Sequence, residues 1–167
     1  NSGPKLTEDG IYTMSQRLGI RMELDLRSVS DSSGQNANYF NVEAPYEMVP
    51  LGQYDRILSS GSAKSALKRI FELLADESNY PIYYHCNAGA DRTGTLAFLI
   101  SGVLGVPYFE LAKDFELTSF SNQGDRWRDN IIETPFGYTF DGSGRMVSGR
   151  ITVTFGRMYQ LMMENYA

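Results

Sequence analysis

The sequence predicts an α/β layer fold, with a central, mostly parallel sheet flanked by helices. Three observations carry that expectation. Segments of helical period alternate with short strand-like segments. The segment at 82–86 is a short apolar run of the kind buried in a sheet. The joints hold Gly, Pro, Ser and Asn, the residues that turn a chain. The chain has 167 residues, 42% hydrophobic and 21% charged. That suffices for one domain with its own core and is too apolar for global disorder.

The elements follow in order. Thr7-Glu8-Asp9-Gly10 opens a first helix, with Thr7 as N-cap and acids in the first turn. Ile11, Met14 and Leu18 fall at helical spacing, and Gly19 is a stop. Ile20 to Leu26 alternates apolar and charged residues, the pattern of a strand with one buried face. Residues 28–61 form a long connection rich in Ser, Asn, Gly and Pro, with short strand-like pieces at Tyr39–Val42 and Glu47–Val49. Ser62 is expected to cap an amphipathic helix with Leu67, Ile70, Phe71 and Leu74 on its apolar stripe. Its wet face carries Lys64, Lys68, Glu72 and Asp76. Ile82 to Cys86 reads as a short buried strand. Leu96 to Ile100 is apolar on all sides, which predicts a central helix ending at Gly105. Pro107 suits the first turn of the next helix, running to about Phe120. Residues 121–149 are polar and Gly-rich apart from Ile131-Ile132. Gly142-Ser143-Gly144 lacks the third Gly of a dinucleotide fingerprint and reads as a turn between two short strands. Thr152 to Tyr166 has the spacing of a last helix.

Composition removes several classes of function. One Cys forbids an intrachain disulfide. One Cys and one His exclude a zinc site built from several such ligands. No apolar run reaches the ~18 residues of a membrane span. Asn1 to Lys5 lacks the basic-then-apolar pattern of a leader. A net charge of -5 disfavours broad nucleic-acid binding and docking on anionic membranes.

The chemistry concentrates in His85-Cys86-Asn87-Ala88-Gly89-Ala90-Asp91-Arg92-Thr93-Gly94, between a strand and a helix. Successive backbone N–H groups of such a loop, from Asn87 through Arg92, converge on one anion. The positive end of the following helix aims at the same point. Arg92 adds a fork of donors matched to two phosphate oxygens. Alone, Cys86 would read as a small buried hydrophobe; at a helix N-terminus beside Arg it reads as a thiolate nucleophile. His85 and Cys86 point to opposite faces of a strand, and no second His exists, so a cysteine protease is excluded. The Lys of a nucleotide-binding P-loop is missing after Gly89.

This segment matches His-Cys-x-x-Gly-x-x-Arg-Thr-Gly, the signature of the protein tyrosine phosphatase superfamily, at every specified position. Asp91 directly before the loop Arg, and the upstream Asp25-Leu26-Arg27-Ser28, make it resemble the bacterial tyrosine/serine phosphatase branch. The resemblance covers roughly residues 6–120. It implies the fold of the phosphotyrosine protein phosphatases and a single phosphatase domain over 1–167. Residues 121–150 are then a variable insertion, and the branch's N-terminal strand precedes Asn1.

The resemblance also implies roles. Cys86 attacks phosphorus and Arg92 with the loop N–H groups holds the equatorial oxygens. Thr93 steadies the departing thiolate, and His85 supports the loop and helps keep the thiolate form. No metal or other cofactor is implied. The leaving group needs a proton, for which Asp91 and Asp55 are both candidates. Asp25 and Arg27 either orient the loop, touch substrate, or serve the local turn, Asp25 as its cap. The branch often places a Glu shortly after Asp-Leu-Arg-Ser, where this chain reads Val29-Ser30-Asp31. The expected partners are phosphorylated proteins or small phosphomonoesters, with phosphate, sulfate or vanadate occupying the loop. Ala88 and Ala90 give the loop no extra cation, which favours phosphoproteins over inositol phosphates or phosphoinositides. A phosphate-binding pseudophosphatase is the reading from a different class; the complete set of Cys86, Asp91 and Arg92 opposes it. A lone thiolate suits a reducing cytosol, and the composition also suits a secreted bacterial enzyme.

Overall fold

Two carboxylates sit inside the sheet that organises this chain. The computed structural model describes residues 6–31, 44–52, 54–58, 60–120, 139–140 and 146–147. The expected strand at Tyr39–Val42, the Ile131-Ile132 patch and the helix over Thr152–Tyr166 lie outside these. The chain divides into two units, Asn1–Leu51 with Ser60–Asn87, and Gly52–Ser59 with Ala88–Ala167.

In the first unit, β1 (Met22–Asp25) is the middle of a three-stranded sheet. It pairs in parallel with β2 (Tyr46–Met48) on one side and β3 (Ile82–His85) on the other. Every residue of β1 is buried. This corrects the expectation of one wet face. A central strand of a parallel sheet is covered on both sides, so Glu23 and Asp25 face the interior, each 0% exposed. Met22 and Leu24, with Leu26 just after the strand, are buried on the opposite face. The sheet is thus apolar on one face and polar on the other.

Helix α1 (Glu8–Tyr12) starts where Thr7 accepts from the Gly10 N–H at 3.1 Å. It continues as a wider π-wound turn, Thr13–Arg17. The expected apolar stripe is not buried, since Ile11 and Leu18 are both exposed. Helix α2 (Gly61–Ala75) is capped by Ser60 rather than Ser62; the Ser60 hydroxyl accepts from Ala63 N–H at 3.1 Å. Ser60 is in extended backbone, as an N-cap must be, whereas Ser62 lies within the first turn. Ile70 and Leu73 are its buried residues. Arg69 of α2 grips Glu47 of β2 with two bonds, 2.7 and 2.8 Å. Glu47 is opposite Leu24 in register, so α2 lies on the apolar side of the sheet.

In the second unit, α3 (Arg92–Val103) buries Thr95, Leu96, Phe98 and Leu99. Its far end is wet, with Leu104 78% exposed, so the helix is buried only over about its first two turns. Helix α4 (Tyr108–Glu116) packs against α3. Pro107 is its N-cap, one position earlier than expected. The helix gives way to a 3-10 turn, Leu117–Phe120. Thr139–Phe140 (β4) and Met146–Val147 (β5) pair antiparallel, flanking the Gly-containing segment expected to join two short strands. No helix among the described residues is long and apolar enough to cross a membrane.

Candidate active site

The motif residues run from the end of β3 to the first turn of α3. His85 is the last residue of β3, Cys86 follows it, and Arg92 is the first residue of α3. This strand–loop–helix order matches the expectation from sequence. Parallel strands need such a crossover, and their C-terminal ends are where helix N-termini gather.

On the strand side, Cys86 is buried at 8% exposed and is not in a disulfide. The His85 ring lies between two partners. Nε2 is 2.8 Å from Glu23 Oε1 and Nδ1 is 3.2 Å from the Cys86 carbonyl oxygen. Tyr83, two residues earlier on the same face, stacks on the ring with centroids 5.2 Å apart. Glu23 is opposite Tyr83, and Asp25 is opposite His85, so all four share the polar face of the sheet.

Beside them Asp25 is clamped. Its Oδ1 accepts from the Arg27 backbone N–H at 2.9 Å, so it caps the turn. The Arg27 guanidinium closes on both oxygens, the shortest contact being 2.6 Å from Nη2 to Oδ2. The Tyr46 hydroxyl donates to Oδ2 at 2.8 Å. Burial alone would raise the Asp25 pKa. The bonds from Arg27 and Tyr46, with the charge of His85, outweigh it and hold the carboxyl below its ordinary 3.8. Burial and the facing carboxylates of Asp25 and Glu23 push the Tyr46 hydroxyl well above its ordinary value.

On the helix side, Gly89 takes φ +71°, a left-handed conformation that side chains rarely adopt. Ala90 is buried, 1% exposed. Its carbonyl accepts from Gly94 N–H at 3.1 Å, and the Asp91 carbonyl accepts from Thr95 N–H and Oγ1, both at 2.8 Å. The loop is therefore bonded into the first turn of α3. Asp91 occupies the N-cap, yet its side chain makes no capping bond. Thr93 Oγ1 is buried and makes no hydrogen bond. Gly94 is a close approach: a Cβ there would meet the Phe115 ring of α4 at 3.1 Å. A cavity of about 140 Å³ opens beside the loop, lined by Gly89, Thr93, Phe98, Asp114 and Phe115 among others.

Asn87 and Ala88 are exposed. Asp55 falls in a 3-10 turn, Tyr54–Leu58, and its side chain is not among those described. No group of three or more His, Cys, Asp or Glu among the described residues could hold a metal ion. The sequence reading missed Glu23 and Tyr46. A usable signal existed for Glu23: two acids two apart on a strand share one face, and a strand flanked by two parallel neighbours has no wet face for them.

An α/β arrangement with a Gly-containing loop between a parallel strand and a helix is the class defined by these elements. The profile of the tyrosine phosphatase family matches residues 2–136, and the chain belongs to that family. A tyrosine-protein phosphatase of Nostoc commune is 30% identical over 133 residues, covering 64% of this chain and 43% of the relative. The chain thus spans less than half the length of that relative.

Proposed function

We propose that this chain is a cysteine-dependent phosphomonoester hydrolase of the tyrosine phosphatase type. The observation that carries the reading is the Cys86-x5-Arg92 loop, complete and framed by β3 and α3. Cys86 as thiolate attacks phosphorus in line with the leaving oxygen. The S–P bond forms as the P–O bond breaks, and an acid protonates the departing oxygen. Water then attacks the phosphocysteine and gives its proton to the same carboxylate, and the S–P bond breaks to release phosphate and the Cys86 thiolate. Backbone N–H groups of residues 87–92 and the Arg92 guanidinium hold the equatorial oxygens, where charge collects. Thr93 Oγ1, which makes no hydrogen bond, is available to stabilise the thiolate in the second step.

Asp91 is the preferred general acid, because it sits in the loop itself, directly before Arg92. Phosphoproteins are the preferred substrates, because Ala88 and Ala90 add no cation for a polyphosphorylated inositol. The test is hydrolysis of para-nitrophenyl phosphate in EDTA by the parent and by Cys86→Ser. Turnover lost in the mutant supports the reading. Phosphate or vanadate binding without turnover in the parent supports a pseudophosphatase instead. Profiling on phosphotyrosine peptides against inositol phosphates separates the two substrate classes.

A further inference from the structure

We propose that Glu23 is a positioning residue for Cys86, acting through His85; this rests on the reading of Cys86 as the nucleophile. Glu23 is fully buried in the middle of β1. A carboxyl group there is costly unless it is well bonded, and nothing in the loop chemistry described above uses it. Its Oε1 lies 2.8 Å from His85 Nε2. At the other side of the ring, Nδ1 lies 3.2 Å from the Cys86 carbonyl oxygen. A carbonyl oxygen only accepts, so Nδ1 carries the proton of that bond. The Glu23 bond fixes which way the ring faces, because a ring flip would put the ring carbons Cδ2 and Cε1 where the two nitrogens lie and leave both bonds unmade. Tyr83 stacks on the ring at an interplanar angle of 18° and restricts its tilt.

The result is a two-bond chain from Glu23 through the ring to the peptide of the nucleophile. It aims an N–H dipole at the Cys86 carbonyl and sets the plane from which Sγ projects. Among the described residues, Asp25 and Arg27 are the charged pair beside it, with Tyr46 hydrogen-bonded to Asp25. Asp25 is held by Arg27 and Tyr46, whereas Glu23 is the carboxyl that reaches the ring. Partners of this kind, one step removed from the reacting atoms, set orientation and commonly change activity by about ten- to a hundredfold.

The chain has one His and one Cys, so both ends of the relay are readable without ambiguity. Ring nitrogens are followed by nitrogen-15 NMR, the thiol by its rate of alkylation with iodoacetamide, and turnover with para-nitrophenyl phosphate. In folded Glu23→Leu, the solvent-protected Nδ1 proton is expected to disappear and alkylation at neutral pH to slow about tenfold. The kcat is expected to fall about tenfold, with KM within about twofold. Glu23→Gln, which can still bond Nε2, is expected to restore the ring signal and recover part of the turnover. A folded Glu23→Leu with parental ring signal and alkylation rate overturns the proposal. If Glu23→Leu fails to fold, the parent spectrum and Glu23→Gln decide. A parent ring that exchanges freely at both nitrogens overturns it, and so does Glu23→Gln with the Nδ1 signal lost but alkylation unchanged. Should Cys86→Ser keep parental turnover, the functional reading fails, while the ring and alkylation measurements still judge the Glu23 relay separately.

Discussion

The Tyr46 hydroxyl crosses from β2 to bond Asp25 Oδ2 at 2.8 Å, on the oxygen that Arg27 Nη2 also holds. A single buried carboxylate therefore joins the sheet's edge strand, its middle strand and the turn that follows. Removing the Tyr46 oxygen leaves the Asp25–Arg27 pair intact. Tyr46→Phe is expected to cost about 1.5 kcal/mol, the range for a hydrogen bond to a charged group, read as a lower urea midpoint at unchanged slope.

The pH dependence of stability follows from the same clamp. The folded Asp25 carboxyl is held below its ordinary 3.8, so the folded state favours the ionised form. Its contribution is present above the ordinary value and is lost as pH falls through the folded one. The parent should lose stability as pH drops below about 4. Asp25→Asn should show a flatter acid limb in urea titrations at stepped pH. At neutral pH the same variant should be less stable by about 3 kcal/mol, because the buried Arg27 charge loses its counter-charge. A parental acid limb in Asp25→Asn would remove Asp25 as its source.

In the proposed mechanism Asp91 and Asp55 are the two candidates for the acid, and the leaving group tells them apart. An acid matters most when the departing oxygen is strongly basic. Asp91→Asn is expected to lower kcat on phenyl phosphate by about a hundredfold and on para-nitrophenyl phosphate by much less. Asp55→Asn should leave both rates close to parental. The reverse pattern moves the acid to the turn at Tyr54–Leu58.

Gly94 has a purely steric requirement. Its absent Cβ makes room for the Phe115 ring. Gly94→Ala should destabilise the protein by about 1–3 kcal/mol through overpacking. Phe115→Leu in the same chain should return part of that loss, measured as non-additivity in a double-mutant cycle.

Much of this was legible in the residues. The loop from Cys86 to Arg92, with its flanking strand and helix, follows from glycine placement, an apolar run and the spacing of the motif. The helix stop at Gly105 and the Thr7 cap are local signals, and local signals survive folding. What was not legible depended on neighbours far along the chain. Alternation in Met22–Asp25 reads as half-wet, because β1 becomes the middle strand of a parallel sheet only through partners that come more than twenty residues later, and such a sheet is covered on both faces. Ser60 and Ser62 are equal as N-cap residue types; backbone conformation chose between them. The stripe of Ile11 and Leu18 was visible, but its exposure was not, because spacing reports a face and not what covers it.

The two-faced sheet also polices its own alignment. Leucine and methionine point one way from β1 and carboxylates the other, so a slip of one residue against β3 would drive Glu23 and Asp25 among the aliphatic side chains and strand Leu24 among polar partners. The misaligned chain would also separate Glu23 from the ring of His85, a contact made across the β1–β3 pair. The residue pattern on β1 thereby penalises misregistered strands: the contact of Glu23 with His85, the residue before Cys86, forms only in the native register.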